Sequence, residues 1–140
     1  MTKNTVPVAN NFEFHHLGYA TTNIKEACGF FGNLNYALED EEFEDPIQGI
    51  RGLFMVGGGP RIELLENLDG SETLTPWLGP GPTFYHTAYL VDDIESAIDW
   101  VRGQRARIVV SPVEAVAFSG RKIAFAMFRN RYFIELISKK

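Results

Sequence analysis

"HLGYATTNIKEACGFF", His16 to Phe31, is the stretch on which the fold turns, because it returns 70 residues later as "HTAYLVDDIESAIDWV", His86 to Val101. His16 falls on His86, Tyr19 on Tyr89, Ile24 on Ile94 and Ala27 on Ala97. The physical pattern repeats with the letters. Each copy opens as an extended run, turns a polar corner ("TTN" or "VDD") and continues with a helical period. Ile24, Ala27, Cys28 and Phe31 in one copy, and Ile94, Ala97, Ile98 and Val101 in the other, recur at i, i+3, i+4 and i+7. That spacing makes one apolar helix face. Asn23 and Asp93 stand just before these stripes, where a short polar side chain caps a helix N-terminus.

The repeat extends outward to the ends of both halves. "RIELLE" (Arg61 to Glu66) and "FIELIS" (Phe133 to Ser138) share Ile-Glu-Leu at a shift of 72. Each follows another apolar run, "GLFMV" from Gly52 and "KIAFAMF" from Lys122, across the short turns "GGGP" and "RNR". These are hairpin signals. "YALEDEEF" (Tyr36 to Phe43) and "ARIVVS" (Ala106 to Ser111) each predict one further strand. The chain therefore reads as one domain over 1–140, with βαβββ modules at 12–67 and 84–138. A Gly-, Pro- and Thr-rich linker at 68–83 joins them. Two such modules predict an α+β fold, a cupped mixed sheet with its helices on the outside.

Composition bounds the function. The chain carries 13 basic and 18 acidic residues, for a net charge of −5. That balance speaks against nucleic acid, whose binding needs clustered cations. Arg102, Arg105 and Arg107 gather where the second helix ends, a favourable place for positive charge. No apolar run approaches the length that spans a bilayer, and the N-terminus shows no secretory signal core. Cys28 is alone, which removes an internal disulfide and a thiolate zinc site. A cytoplasmic protein is the expectation. The first ten residues, "MTKNTVPVAN", lack any apolar period.

A pseudo-twofold axis between the halves would set His16 opposite His86 and Glu63 opposite Glu135. Glu63 and Glu135 each sit between apolar neighbours, so strand alternation turns them to the face those neighbours avoid. Two imidazoles and two carboxylates suit one divalent ion that prefers nitrogen and oxygen: Zn, Ni, Co, Mn, Fe or Mg. Two carboxylates balance its charge, and four protein ligands leave positions open for substrate. Alternation also predicts that His15, beside His16, faces the other way as a packing or surface residue.

At these residues the chain resembles the vicinal oxygen chelate superfamily, which includes glyoxalase I, methylmalonyl-CoA epimerase, extradiol dioxygenases and bleomycin-resistance proteins. The resemblance runs from about Phe12 to Ser138. It implies paired βαβββ modules cupped around a metal held by His16, Glu63, His86 and Glu135. Within the superfamily, "IELLENLDGSETLTPWL" and "YHTAYLVDDIESAI" are most similar to methylmalonyl-CoA epimerases. Two departures stand out. Ile47, in "PIQGI", occupies the place of a catalytic Glu, and "AFSG" (Ala117 to Gly120) replaces a Gly-Ala-His-Gly loop. Ile47 moves no proton, so Glu44 and Asp45 are the neighbouring carboxylates that could take that role.

The resemblance implies a metal-dependent isomerase or lyase that removes a proton alpha to a carbonyl held at the metal, epimerase-like or glyoxalase I-like. Glu135 is the first candidate base and Glu63 its partner. The substrate would be a small molecule with chelating oxygens, an acyl thioester among the options. Phe54, Phe125 and Tyr132 are candidate walls of the cup. A homodimer is implied by analogy with related proteins. The alternatives are a binding or drug-resistance protein of the same fold, and an extradiol-type dioxygenase, against which the fourth ligand Glu63 weighs.

Overall fold

The computed structural model describes residues 11–140. The compositionally distinct first ten residues lie outside the described residues. In chain order the elements are β1 (Glu13–Ala20), α1 (Ile24–Gly32), β2 (Ala37–Leu38), β3 (Phe43–Asp45), β4 (Ile50–Val56) and β5 (Ile62–Asn67). The second half follows with β6 (Thr83–Val91), α2 (Ile94–Gly103), β7 (Arg107–Glu114), β8 (Lys122–Met127) and β9 (Phe133–Ser138). All the strands join one mixed sheet in the order β2-β4-β5-β1-β6-β9-β8-β7, with β3 on β4 beside β2. β1 and β6, which carry the repeated stretch, lie antiparallel at its centre. Each runs parallel to the last strand of its own half, β5 or β9. This is the α+β mixed sheet that the repeat predicts.

The helices begin where the polar corners place them. Asn23 Oδ1 accepts from the Glu26 N–H at 3.0 Å, and Asp93 Oδ1 from the Glu95 N–H at 3.1 Å. Such a cap satisfies a donor that the first helical turn leaves free. The apolar stripes then pack on one side of the sheet. α1 lies on Leu53, Met55, Ile62 and Leu64, and α2 on Ala124, Ala126, Ile134 and Leu136. Because side chains alternate along a strand, the residues between these point to the opposite, concave side. There Phe54, Phe118, Phe125 and Phe133 form a separate apolar cluster. Glu63 and Glu135 also occupy that side, yet they are 4% and 3% exposed. A solvated sheet face would leave them in water; this one encloses them.

Two features differ from the sequence expectation. "YALEDEEF" is not one strand but two short pieces, β2 and β3, both paired to β4. Between them lies the acidic run Asp40 to Glu42, where Asp40 Oδ1 accepts from the Glu41 N–H at 2.8 Å. A local side-chain bond of this kind competes with the strand ladder. The segment 68–83 is also more than a spacer. It contains a 3-10 turn at Thr75–Trp77, and Leu74 is buried to 1% exposure. Thr73 Oγ1 donates to the Gln48 carbonyl at 2.7 Å, and the Leu74 N–H donates to Asn67 Oδ1 at 2.8 Å. These bonds fold the segment back over the concave face. Among the described residues, no helix is long and apolar enough to cross a membrane.

Candidate metal centre

The central strands bring together the four residues that the repeat singles out. His16 is on β1, His86 on β6, Glu63 on β5 and Glu135 on β9. All four are buried, and their ligating atoms lie within 4.8 Å of one another. His16 Nε2 is 2.9 Å from Glu63 Oε1 and 3.3 Å from Glu135 Oε1. His86 Nε2 is 3.2 Å from Glu135 Oε1 and 3.8 Å from Glu63 Oε1. The two Nε2 atoms are themselves 3.2 Å apart.

Neighbouring ligands of one ion, each roughly 2.0–2.2 Å from it, lie roughly 2.9–3.5 Å from each other. The observed separations fall close to that range. Glu135 Oε1 is buried with no hydrogen-bond partner, although it approaches both ring nitrogens. A buried polar atom of this kind costs free energy when left unmatched. Two facing imidazole nitrogens, two carboxylates and one unmatched oxygen fit a divalent cation in composition and in spacing.

The electrostatics follow from the same crowding. Burial alone would make His16 less basic, but the charges of Glu63 and Glu135 outweigh it and raise its pKa to about 9. Burial would likewise raise the Glu135 pKa, but the close approach of His16 and His86 outweighs it and lowers the value to about 2. Without a cation, the cluster thus supplies its own positive charge by keeping a proton on His16.

Two β-bulges shape the site, and they occupy equivalent places. The β1–β6 register shifts between Phe14 and His16, and again between Gly18 and Tyr19 where β6 passes from His86 to Phe84. The extra residues are His15 on β1 and Tyr85 on β6, one before each histidine of the cluster. A bulge breaks simple alternation and re-aims a side chain. His15 therefore does not face away as alternation predicts. Its ring lies 5.8 Å from that of Phe54 and 5.5 Å from that of Phe118, the two phenyl rings that also flank His16.

His15 Nδ1 sits 2.8 Å from His16 Nδ1. With His16 Nε2 directed into the cluster, its Nδ1 carries the proton and donates to His15, fixing tautomer and ring orientation. Burial, and next the charge on His16, lower the His15 pKa to about 4, so His15 is a neutral acceptor. Tyr85 holds the corresponding position beside His86, with ring centroids 4.5 Å apart. Burial, reinforced by Glu63 and Glu135, holds its phenol pKa well above the ordinary value, so the proton stays on. Both residues were legible only as the polar aromatic that precedes a histidine in each copy.

Gly18 is the other residue that the sequence did not mark. It lies opposite His86 in the ladder, and a Cβ built on it would come 2.0 Å from His86 Cε1. The imidazole rests in the space of the missing side chain.

A cavity of about 470 Å³ opens onto His86, Glu63 and Glu135. Phe125 lines it, and Phe54 packs edge-on to His16 at 5.2 Å from behind. Tyr132 does not belong to the wall. It is 43% exposed, and its hydroxyl meets that of Tyr89 at 2.7 Å on the outside. Neither neighbour of Ile47 supplies a base. Glu44 lies out in solvent, 3.6 Å from Arg51. Asp45 is fully buried, but its oxygens accept from the Gln48 N–H, Gln48 Nε2 and the Val116 N–H at 3.2, 2.9 and 3.0 Å. It fastens a turn and does not face the cavity. Ile47 stands at the mouth, 69% exposed.

Comparison with known proteins agrees with this architecture. Residues 15–125 match the family model described as the Glyoxalase/Bleomycin resistance protein/Dioxygenase superfamily. The chain is 24% identical over 115 residues to the mitochondrial methylmalonyl-CoA epimerase of Dictyostelium discoideum, covering 81% of this chain and 69% of that protein. It is 24% identical over 113 residues to the ethylmalonyl-CoA/methylmalonyl-CoA epimerase of Cereibacter sphaeroides, covering 79% and 84%. Among solved structures, methylmalonyl-CoA epimerase from Mycobacterium tuberculosis superposes with a TM-score of 0.77 at 23% identity, covering 100% of this chain and 93% of that one. The sheet, the paired halves and the family match lead to one conclusion: this chain belongs to the glyoxalase/bleomycin resistance protein/dioxygenase superfamily and is similar to its methylmalonyl-CoA epimerases.

Proposed function

We propose that the chain is a metal-dependent enzyme of the epimerase–glyoxalase type, moving a proton on the carbon next to a carbonyl of a small chelating substrate. The observation that carries this reading is the buried His16–Glu63–His86–Glu135 cluster at the floor of an apolar cavity. A divalent ion held by these four residues would act as a Lewis acid toward the substrate carbonyl.

The remaining work falls to the chain's own side chains. Glu63 and Glu135 are the only carboxylates among the described residues that line the cavity. A carboxylate has two oxygens, so one engaged at the cluster leaves the other to accept a proton. Glu135 takes the proton from the alpha carbon while the C–H electron pair moves onto the carbonyl oxygen. The protonated Glu135 then returns that proton to the enolate, and Glu63, its twin across the pseudo-twofold axis, is the alternate base for a substrate seated on the other side. Tyr85 keeps its proton and offers a neutral donor beside them. The apolar wall limits water and strengthens these short-range charges. The similarity to epimerases of acyl-CoA substrates supports an acyl thioester as the substrate type.

The reading is tested by incubating metal-loaded protein in D₂O with a panel of 2-substituted acyl thioesters and hemithioacetals. Deuterium should enter the alpha position, and Glu135→Gln should slow its uptake by about 100-fold or more, the scale of a lost general base. No uptake across the panel, or a Glu135→Gln variant as fast as wild type, would overturn it.

A second reading has one observation in its favour. Neither Glu44 nor Asp45 replaces the base missing at Ile47, which suits a protein that holds a ligand without transforming it. Ligand retention with no isotope exchange, at full metal content, would favour that reading.

A further inference from the structure

We propose that the site selects a ligand whose body within the cavity, beyond its two chelating oxygens, is uncharged and larger than a methyl group: an aromatic or branched-alkyl group. A further carboxylate on that body is rejected. The proposal rests on the metal-site reading above and adds the substrate class to it.

The first support is the charge inventory. Among the described residues that line the cavity, none is Lys or Arg. The ionisable groups there are Glu63, Glu135, His86 and Tyr85. The charge of a bound divalent ion is already balanced by the two carboxylates, so an extra anion on the ligand would find no cationic side chain in the cavity, out of reach of full hydration. Arginines do border these strands, but they are engaged elsewhere. Arg51 is paired with Glu66 at 2.8 Å, and Arg61 with Glu39 at 2.9 Å. Arg121 donates to the carbonyls of Phe118 and Ser138 at 3.1 and 3.2 Å.

The second support is the opposing wall. Leu65, Leu74, Trp77, Val110, Val113 and Phe133 come from both halves and from the segment that joins them. Trp77 stacks on Phe133 at 4.8 Å and 29°, which presents a flat aromatic surface to the cavity. Its volume of about 470 Å³ far exceeds what a methyl group fills, and it falls within the usual range of small-molecule sites. At the mouth, Ile47 and Val109 are 69% and 47% exposed. Two large apolar side chains left in water at a cavity rim gain most if an apolar ligand covers them.

The test holds the chelating head constant and varies the body. Acetohydroxamate, benzohydroxamate and 4-carboxybenzohydroxamate are titrated into cobalt(II)-loaded protein, with binding read from the visible spectrum. Benzohydroxamate should bind at least about tenfold tighter than acetohydroxamate, the scale of one buried apolar ring. The added carboxylate should cancel that gain. Trp77→Ala should shrink the aromatic preference, and Val110→Arg should restore binding of the carboxylated compound. Equal affinities in wild type, or tightest binding of the carboxylated compound, would overturn the proposal. Failure of cobalt to load, or of every hydroxamate to perturb its spectrum, would overturn the metal-site reading itself and this inference with it.

Discussion

His15 shows how a single residue escapes a strand pattern. The period of two places it on the far face, but the bulge turns it to meet His16, nitrogen to nitrogen at 2.8 Å. Its role is to hold a ring in place, and the prediction is specific. His15→Ala should weaken divalent-metal affinity about 10- to 100-fold, as loss of such supporting contacts does, measured by competition with a coloured chelator. His15→Asn, which keeps an acceptor, should recover part of the loss. Equal affinity in wild type and His15→Ala would contradict the role.

The same pair governs pH dependence in metal-free protein. His16 has a folded pKa of about 9, above its ordinary 6.5, so the stability from its proton is whole below pH 6.5 and is lost as pH rises through about 9. His15 has a folded pKa of about 4, so below 6.5 the unfolded chain gains a proton that the folded chain refuses, and stability falls toward pH 4. Urea midpoints taken in the presence of a chelator should therefore peak near pH 6.5 and decline on both sides. A flat profile between pH 6.5 and 9 would contradict this assignment.

Among the elements, the helices were legible because caps and apolar stripes are local signals. Asn23 and Asp93 cap where the corner residues suggest, and the buried positions of α1 and α2 follow the stripes. The strand pieces β2 and β3 were not legible, because the acidic run between them exerts its effect through local bonding that apolar periodicity does not register. The role of 68–83 was hidden for a related reason. Its Gly and Pro content marks turns, while the burial of Leu74 and the packing of Trp77 depend on strands distant in sequence.

Asp45 belongs to this scale too. Its carboxylate joins the turn before β4 to the Val116 backbone of the other half. Asp45→Ala strands buried donors and should destabilise the chain by about 2–4 kcal/mol, read from urea unfolding. Metal affinity measured on the remaining folded fraction should change little, since Asp45 does not face the cavity.

The whole molecule was legible through its symmetry. Each of the four cluster residues has an ordinary explanation when taken alone; the match of His16 to His86 and of Glu63 to Glu135 is what selected them. The sheet realises that match at its centre, with β1 beside β6 and each parallel to the strand that bears its Glu. Symmetry did not extend to what the cluster serves. The two halves diverge in their loops and cavity walls, where Ile47, Trp77 and Tyr85 have no like partner, and the proposed ligand selection falls there.

Whether this pseudo-symmetric cluster holds one divalent ion is decided by elemental analysis of the purified chain beside its variants. About one ion is expected per wild-type chain, removed by His86→Ala or Glu63→Gln while far-UV circular dichroism stays native, since the fold rests on the apolar clusters on both sheet faces. A wild-type chain that takes up no divalent ion when offered Zn, Ni, Co, Mn, Fe or Mg, or a variant lacking both His86 and Glu63 side chains that still retains one, would contradict it.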